Sequence, residues 1–429
     1  MDRSSQASIP RSVLWLILLS FLLQVATIGI ARQYRTRAGE DHFAFGWEMG
    51  RIGRSIALGQ GFSSPYGGDT GPSAWEPPLY PYLMGAVFKV FGIYSYASAW
   101  VLLTINCIFS VITCIPVYRI AGRVFDQRIA LWSAGIWALL PYVWYWSVHW
   151  LWDTTISPFL LSVIFLTALE LETRQGWRGW AIFGALWGIA GLANPSLLAF
   201  LPACGIWIWW RRHRRGLPSM GGVVLASAVF VLVLSPWLVR NHRVFGHFVF
   251  IRNDFGLQFR LGNSKDADGI SLVNLQPNMN QLEFDKFKRM GELAYAADCQ
   301  RIAMDWIRED RWRFVAVSCK RFVYYWDGMP RPTDSRAPWD FRNSLFLASS
   351  VLALWGLIRA VRQKRPGAWL FALLVLTYPT TYYFVFPHAR YRHPLEPELL
   401  ILAVFLVSEA QGRRERTSDP SRADIAHLQ

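Results

Sequence analysis

Acidic side chains cluster directly after the first long apolar segment of the chain. Residues 39–53 read GEDHFAFGWEMGRIG, which places Glu40, Asp41 and Glu48 among aromatic residues. A carboxylate in partly apolar surroundings has a raised pKa and can accept a proton from a substrate. The structural alternative is that Glu48 pairs with Arg51 on the next helical turn, while Glu40 and Asp41 form a turn or a helix cap.

A further acid, Asp153, lies in HWLWDTT, between two tryptophans and the next apolar segment. Such an acid can accept a proton or bind a metal, or it can simply cap the helix predicted to begin at Thr154. A pair formed with Glu48 across one cleft would suit sugar or proton chemistry. Two carboxylates are too few to define a metal site, so a divalent metal is left open and no cofactor is assigned.

Basic side chains crowd into PHARYRHPLEPE at 387–398, where His388, Arg390, Arg392 and His393 fall within six residues. Arginine is suited to bidentate binding of phosphate, and a lipid phosphate is the natural ligand at a membrane surface. The alternative is that these side chains reach out to lipid headgroups without a specific role.

Two further stretches are less informative. Residues 61–81 are rich in glycine and proline, with the sequence GFSSPYGGDTGPSAWEPPLYP. This composition predicts a loop of defined conformation rather than a helix or a strand. A loop of this length is more often functional than a simple turn. Residues 236–263 predict an extended connection that carries Arg240, Arg252 and Asn253, and no chemical role follows for it.

The elements that position these residues are predicted membrane helices. The chain is 53% hydrophobic and 17% charged, against roughly 25% charged residues in soluble proteins. About 20 helical residues cross the hydrocarbon of a bilayer. We predict an all-α polytopic membrane protein with about ten transmembrane helices near 12–30, 96–118, 129–147, 154–171, 178–193, 196–210, 220–238, 343–360, 367–386 and 394–410.

The charge distribution orients these helices. Lys and Arg outnumber Asp and Glu by 44 − 29 = 15, and much of the excess lies in short loops such as RRHRRG at 211–216 and RAVRQKR at 359–365. Short basic loops mark the cytoplasmic side, so nucleic-acid binding is not expected. Ten spans place every basic loop inside and leave the segments that carry chemistry outside: 31–95, 148–154, 194–196, 239–342 and 387–398.

The same pattern divides the chain into modules. They are a membrane module at 1–238 that includes the first outer loop at 31–95, an outer segment at 239–342, membrane helices at 343–410 and a disordered cytoplasmic tail at 411–429.

Local patterns add three expectations. Residues 43–58 predict a helix whose apolar stripe, with Phe45, Met49 and Ile52 among its members, lies in the membrane interface. Residues 280–326 also predict helix. Cys299 and Cys319 could pair if their segment faces an oxidising compartment.

The order of these motifs resembles a known class. An acid-bearing first outer loop, PPLYP, PVYRIAGRVF, HWLWDTT, LANPSLLAFLP, RNHRVFGHFVFIRNDFG and RYRHPLEP occur in that order over about residues 12–410. Together they resemble the bacterial membrane glycosyltransferases of the GT-C class, in the protein-mannosyltransferase-like and aminoarabinose-transferase-like branch. The resemblance implies transfer of a sugar from a polyprenyl-phosphate donor to a lipid, glycan or protein acceptor, with inversion, on the periplasmic side of the bacterial inner membrane.

The resemblance also implies roles for single residues. Glu48 is the first candidate for the base and Asp41 the second, with Asp153 assisting. Arg390 and Arg392 would hold the lipid phosphate, and His388, His393, Glu76 and Tyr80 complete the candidate substrate contacts.

The sequence departs from the family pattern at two positions. Phe45 lies where relatives often have an acidic pair at the head of the first-loop helix. Glu76 lies where some relatives have a basic phosphate contact just before Pro-Pro.

Two other functions remain as alternatives. A transporter or flippase of lipid-linked sugars would call for polar residues within the spans and for inverted repeats. The predicted spans are nearly free of charge and no repeat is evident. A non-catalytic assembly protein is the third candidate.

Overall fold

The computed structural model describes residues 9–330 and 341–418, and within these ranges α-helix predominates and no β-strand forms. The first part of the chain forms α1 (Arg11–Ile30), α2 (Glu48–Ala57), α3 (Leu79–Phe91), α4 (Tyr96–Ile112), α5 (Cys114–Val124), α6 (Gln127–Leu139), α7 (Pro141–His149), α8 (Ile156–Leu171), α9 (Trp177–Ala193), α10 (Leu201–His213) and α11 (Met220–Phe245).

The remainder forms α12 (Phe255–Gly262), α13 (Gln281–Met290), α14 (Glu292–Glu309), α15 (Arg311–Asp327), α16 (Phe341–Arg362), α17 (Ala368–Thr377), α18 (Thr380–Phe384), α19 (Ala389–Arg392) and α20 (Glu396–Ser418). Helices α13 to α15 confirm the helical prediction for residues 280–326.

Four helical runs are long and apolar enough to cross a membrane: Arg11–Ile30, Tyr96–Val124, Met220–Phe245 and Asn343–Arg362. The other predicted spans coincide with shorter helices or with broken pairs, except that 394–410 falls mostly within the 23-residue α20. Proline at the start of α7 separates it from α6, because the ring cannot continue the hydrogen-bond ladder of the preceding turn. The all-α membrane architecture is confirmed, while the number of crossings stays a prediction.

The apolar stripe of the first outer loop lies inside the protein rather than in the membrane interface. Phe45 and Ile52 are fully buried, and α2 packs tightly on α3. A Cβ added at Gly53 would lie 2.9 Å from the Cβ of Met84, and one at Gly85 would lie 2.7 Å from Ile56 Cγ2. These small residues allow close helix contact, so the interfacial prediction for this stripe is wrong.

Three further local predictions need correction. Residues 236–263 are mostly helical, because α11 continues to Phe245 and α12 begins at Phe255. Cys299 and Cys319 do not pair, since both are free cysteines, one buried and one exposed. Helix α20 extends through residues 411–418 of the predicted disordered tail, and residues 419–429 lie outside the described residues.

The basic loops gather at one end of the bundle. Glu172, at the end of α8, accepts hydrogen bonds from Arg211 and from Arg215, the latter at 2.8 Å. Arg212 donates to the carbonyl oxygens of Leu171 and Arg174 at 2.7 and 2.8 Å. These contacts tie together the loops that the charge pattern placed on a common side.

Candidate functional site

A cavity of about 420 Å³ lies where the predicted outer segments meet. Each of them supplies part of its wall: Glu76 from the first outer loop, Asp153 from the loop before α8, Ser196 from the short turn, Asp254 from the segment before α12, and Arg390 from α19. Segments far apart in sequence thus form one pocket, lined by both charged and aromatic side chains, at one end of the bundle.

An ion-pair network forms one wall of this cavity. Arg252 binds Asp254 through two hydrogen bonds and lies 3.9 Å from the Glu76 carboxylate. Asp254 and Glu76 are both buried. Burial raises the pKa of Glu76 well above its ordinary value, and the positive charge of Arg252 opposes that rise. The positive charge of Arg252 is therefore already matched by the carboxylate of Asp254.

Arg390 lies in different surroundings from Arg252, among aromatic rings rather than carboxylates. Its guanidinium stacks over the rings of Trp152 and Tyr391, each 5.0 Å from the ring centroid, and donates to the Tyr391 hydroxyl at 3.2 Å. Within the described residues no carboxylate lies within 4.0 Å of it, and its buried Nε has no hydrogen-bond partner. A cation held by aromatic rings and unpaired with acid is suited to binding an anion.

Asp153 faces the same cavity. Its carboxylate accepts from Ser157 Oγ at 3.3 Å, and Asn194 Nδ2 donates to that hydroxyl at 3.2 Å. Burial raises the pKa of Asp153, and the charges of Arg390 and Arg252 oppose the rise. Helix α8 has Thr155 at its N-cap, without a side-chain cap, so Asp153 does not cap the helix in the predicted way.

Glu48 begins α2 and flanks the cavity, whose wall includes the adjacent Met49. Asn278 donates a hydrogen bond to Glu48 and accepts one from Arg51. Arg51 in turn binds Asp41, which replaces the predicted pairing of Arg51 with Glu48. Burial raises the pKa of Glu48, against the opposing effects of Arg51 and Arg390.

Several predicted contacts are not brought to the cavity. Arg392 is fully buried and donates to Ser349 and Ser350, each at 2.7 Å. His393 is also buried and stacks on Trp137, with ring centroids 5.7 Å apart. Both side chains hold the helical bundle together, so the structure does not support them as phosphate ligands.

Other candidates also lie outside the cavity wall. Tyr80 donates to Asn106 Oδ1 at 3.2 Å inside the bundle. His388 accepts from the backbone N–H of Arg390 at 3.2 Å and so supports the start of α19. Asp41 is occupied by Arg51, and Glu40 is exposed, 4.0 Å from Arg37.

The loop that carries Glu76 is held from outside the cavity by a buried acid. Ser73 Oγ donates to Glu292 Oε2 at 2.6 Å, and the Ala74 N–H donates to Oε1 at 2.8 Å. Arg240 donates to the carbonyl oxygen of Phe62 at 2.7 Å, at the other end of the same loop. These contacts fix the approach of Glu76 to the cavity.

Sequence reasoning missed the Arg252 and Asp254 pair. The available signal was the polar triplet RND at 252–254, placed directly after the aromatic run FVFI. No group of three or more His, Cys, Asp or Glu side chains suited to a metal ion occurs among the described residues.

Known proteins resemble this chain in sequence and in fold. Residues 75–239 match the family model described as dolichyl-phosphate-mannose-protein mannosyltransferase, a region that contains Glu76 and Asp153. The oligosaccharyltransferase of Archaeoglobus fulgidus, in complex with Zn and sulfate, matches with a TM-score of 0.54 and 14% identity, over 96% of this chain and 51% of that one. The oligosaccharyltransferase AglB of the same organism, in complex with an inhibitory peptide and a dolichol-phosphate, matches with a TM-score of 0.53 and 14% identity, over 95% of this chain and 52% of that one.

This chain has the fold of the GT-C membrane glycosyltransferases. The predicted resemblance to that class is confirmed, and the apolar helices of this chain together with its fold support a multi-pass membrane protein. It spans about half the length of the oligosaccharyltransferase that it matches.

ArnT from Cupriavidus metallidurans, bound to undecaprenyl phosphate, gives a TM-score of 0.39 at 12% identity, over 95% of this chain and 79% of that one. That value is too low to favour the aminoarabinose branch of the GT-C fold. No curated protein matches the sequence at a significant level.

Proposed function

We propose that this protein transfers a sugar from a polyprenyl-phosphate donor to a glycan, lipid or protein acceptor. The observation that carries the proposal is the arrangement of Arg390 and Asp153 in one cavity of a GT-C fold. Arg390 provides a positive charge unpaired with any described carboxylate, while Asp153 provides a carboxylate that no described arginine binds directly. Together they supply a site for a leaving phosphate and an acceptor for a proton.

The reaction is a single displacement. The acceptor oxygen forms a bond to the anomeric carbon as the bond between that carbon and the phosphate oxygen breaks, so the configuration inverts. The acceptor's proton passes to Asp153, whose raised pKa suits a general base. The electron pair of the broken bond leaves with polyprenyl phosphate, whose growing negative charge Arg390 stabilises.

Glu48 is the second carboxylate of this proposal. Its position beside the cavity and the influence of Arg390 on its charge favour a role in orienting the acceptor hydroxyl. Arg252, which pairs with Asp254 and lies near Glu76, lines the same cavity and offsets the repulsion between Asp254 and the phosphate.

We place the cavity on the periplasmic side of a bacterial inner membrane. The support is the gathering of Arg211, Arg212 and Arg215 at the loops of the other end, because basic short loops remain in the cytoplasm.

The test combines cells and purified protein. Mass spectrometry of envelope glycolipids, glycans and glycoproteins from a deletion strain should show one missing sugar mass, which wild-type protein restores and Asp153→Asn does not. The purified protein in nanodiscs should release polyprenyl phosphate from the matching donor only when the acceptor is present. Unchanged envelope glycans, or movement of the lipid-linked sugar across vesicles without transfer, would overturn the proposal in favour of a non-catalytic protein or a flippase.

A further inference from the structure

One face of helix α15 is buried against the rest of the protein. Val317, Arg321 and Tyr325 are buried at four-residue intervals. Arg321 donates to Asn263 Oδ1 at 3.1 Å and to the carbonyl of Phe384 at 2.9 Å. This face fixes how α15 is rotated about its own axis.

The opposite face of α15 is apolar and uncovered. Trp312 is 83% exposed, Phe322 and Val323 are each 51% exposed, and Val315 is 47% exposed. Cys319 lies among them and is also exposed. Spacings of three and four residues put these side chains on one stripe. A contiguous stripe of large apolar side chains marks an interaction surface rather than a solvated face.

Basic residues border this stripe on both sides. At about 100° per residue, Arg311 lies along one edge, and Arg313 and Lys320 lie along the other. All three are exposed, although Lys320 also binds Asp268. An apolar face edged by Lys and Arg is the pattern of helices that lie in the boundary between lipid headgroups and acyl chains. The positive edges complement lipid phosphates.

The C-terminal end of α15 lies beside a membrane span. Ser350 Oγ of α16 donates to the carbonyl of Trp326. Ser350 is nine residues beyond Phe341, where α16 begins, which is roughly 13 Å along the helix axis. At the same level, α16 exposes Val351 and Leu352 by 53% and 38%. The end of α15 therefore lies at the depth of the lipid-exposed surface of α16.

We propose that the exposed face of α15 is embedded in the bilayer leaflet on the cavity side, with Arg311, Arg313 and Lys320 at the phosphates of anionic lipids. This interaction goes beyond the proposed transferase activity and does not depend on it. Its consequence is to anchor a cavity wall: Tyr325 of α15 stacks on Tyr382, a cavity residue, at 6.0 Å between ring centroids.

Cys319 provides a direct probe of this surface, because the other four cysteines are buried. The full-length protein carries the fluorophore NBD on Cys319 in nanodiscs that contain lipids spin-labelled near the headgroup. We expect blue-shifted emission and strong quenching by the spin label, with weak quenching by aqueous iodide. A label on Arg289→Cys in a Cys319→Ser background, on the exposed charged face of α13, should show the reverse.

Three results would overturn the proposal. Quenching of the Cys319 label by iodide alone would show that the face contacts water. A blue shift without lipid quenching would show that a protein or a second copy covers it. Equal lipid quenching of the wild type in phosphatidylcholine and in phosphatidylglycerol discs would remove the role of anionic headgroups. We expect stronger quenching in phosphatidylglycerol, and we expect Arg311→Gln/Arg313→Gln to abolish that difference.

Discussion

Arg390 and Arg392 are two residues apart in α19 but lie in separate environments. Two helical positions differ by about 200°, so one guanidinium enters the cavity and the other enters the bundle. Arg390 stacks on Trp152 and Tyr391 without a carboxylate partner among the described residues. Arg392 binds Glu396 at 2.8 Å and is buried. The same residue type is thus available for ligand binding at one position and structural at the other.

Substitution of these two arginines should therefore give opposite phenotypes. Arg390→Ala should lower kcat/KM by about 10²–10³, because the leaving phosphate loses its stabilising charge, while the melting temperature stays near that of the wild type. Arg392→Ala should cost about 3–5 kcal/mol of stability, because it removes a buried guanidinium and leaves the largely buried carboxylate of Glu396, 13% exposed, without its partner.

Thermal unfolding in detergent and steady-state transfer assays measure the two effects. Arg390→Lys serves as a control that keeps the charge but loses the bidentate geometry, and it should retain part of the activity. A melting temperature for Arg390→Ala as low as that of Arg392→Ala would contradict a ligand-binding role for Arg390.

Asp153→Asn should lower kcat by about 10²–10⁴, because the amide keeps the shape of the side chain but cannot accept the proton. Binding of the donor should be unchanged, since the contact of Arg390 with the phosphate remains. Single-turnover measurements with a labelled lipid donor separate the two steps. Turnover near that of the wild type would remove Asp153 as the base.

The same acid predicts a pH dependence. The base must be ionised, so kcat/KM should fall as the pH drops through the raised pKa of Asp153. The charge of Arg390 lowers that pKa, so Arg390→Gln should move the acidic limb to higher pH in its residual activity. A limb that does not move, or that moves to lower pH, would argue against electrostatic coupling between the two side chains.

Glu48→Gln should strongly reduce or abolish transfer while the protein stays folded and still binds the lipid-linked sugar. The physical reason is the loss of a carboxylate that flanks the cavity and orients the acceptor hydroxyl. Glu40→Gln is the matched control, because the side chain of Glu40 is 65% exposed, and it should have no effect. Near-normal turnover of Glu48→Gln would leave only a structural role for the bond between Glu48 and Asn278.

Glu292 should make stability depend on pH. Burial raises its pKa to about 7, against the opposing hydrogen bonds from Ser73 and Ala74. An acid whose pKa is raised in the folded state binds more protons when the protein is folded than when it is unfolded. Its contribution to stability is therefore fully present below about pH 4.3, the pKa of an unperturbed Glu. That contribution is lost as the pH rises through about 7, the pKa in the folded state. The melting temperature should decline over that window in the wild type and decline less in Glu292→Gln.

Glu292→Ala is the contrasting variant. It removes the acceptors of Ser73 and Ala74, so it should loosen the loop that carries Glu76 and lower both stability and activity. Glu292→Gln keeps one acceptor and should restore most of the activity. Equal pH profiles of stability for the wild type and Glu292→Gln would show that Glu292 does not titrate in this range.

The sequence by itself determined the class of architecture and the set of candidate residues. Apolar segments long enough for a bilayer require helices, because only helices and closed barrels satisfy their backbone hydrogen bonds in lipid. Basic loops indicated which segments share a side, and the cavity unites the outer segments that this pattern grouped together. Asp153 and Arg390 could therefore be predicted as candidates from their position beside apolar segments.

Only the tertiary structure decided which candidates meet. Arg252 and Asp254 reach the cavity because the end of α11 and the start of α12 bring them beside Glu76, a contact across more than 170 residues that no local pattern encodes. Arg392 and His393 lie outside the cavity because contacts with α16 and α6 determine how α19 is rotated about its axis. Local spacing determines which faces an element has, whereas long-range packing determines what each face contacts.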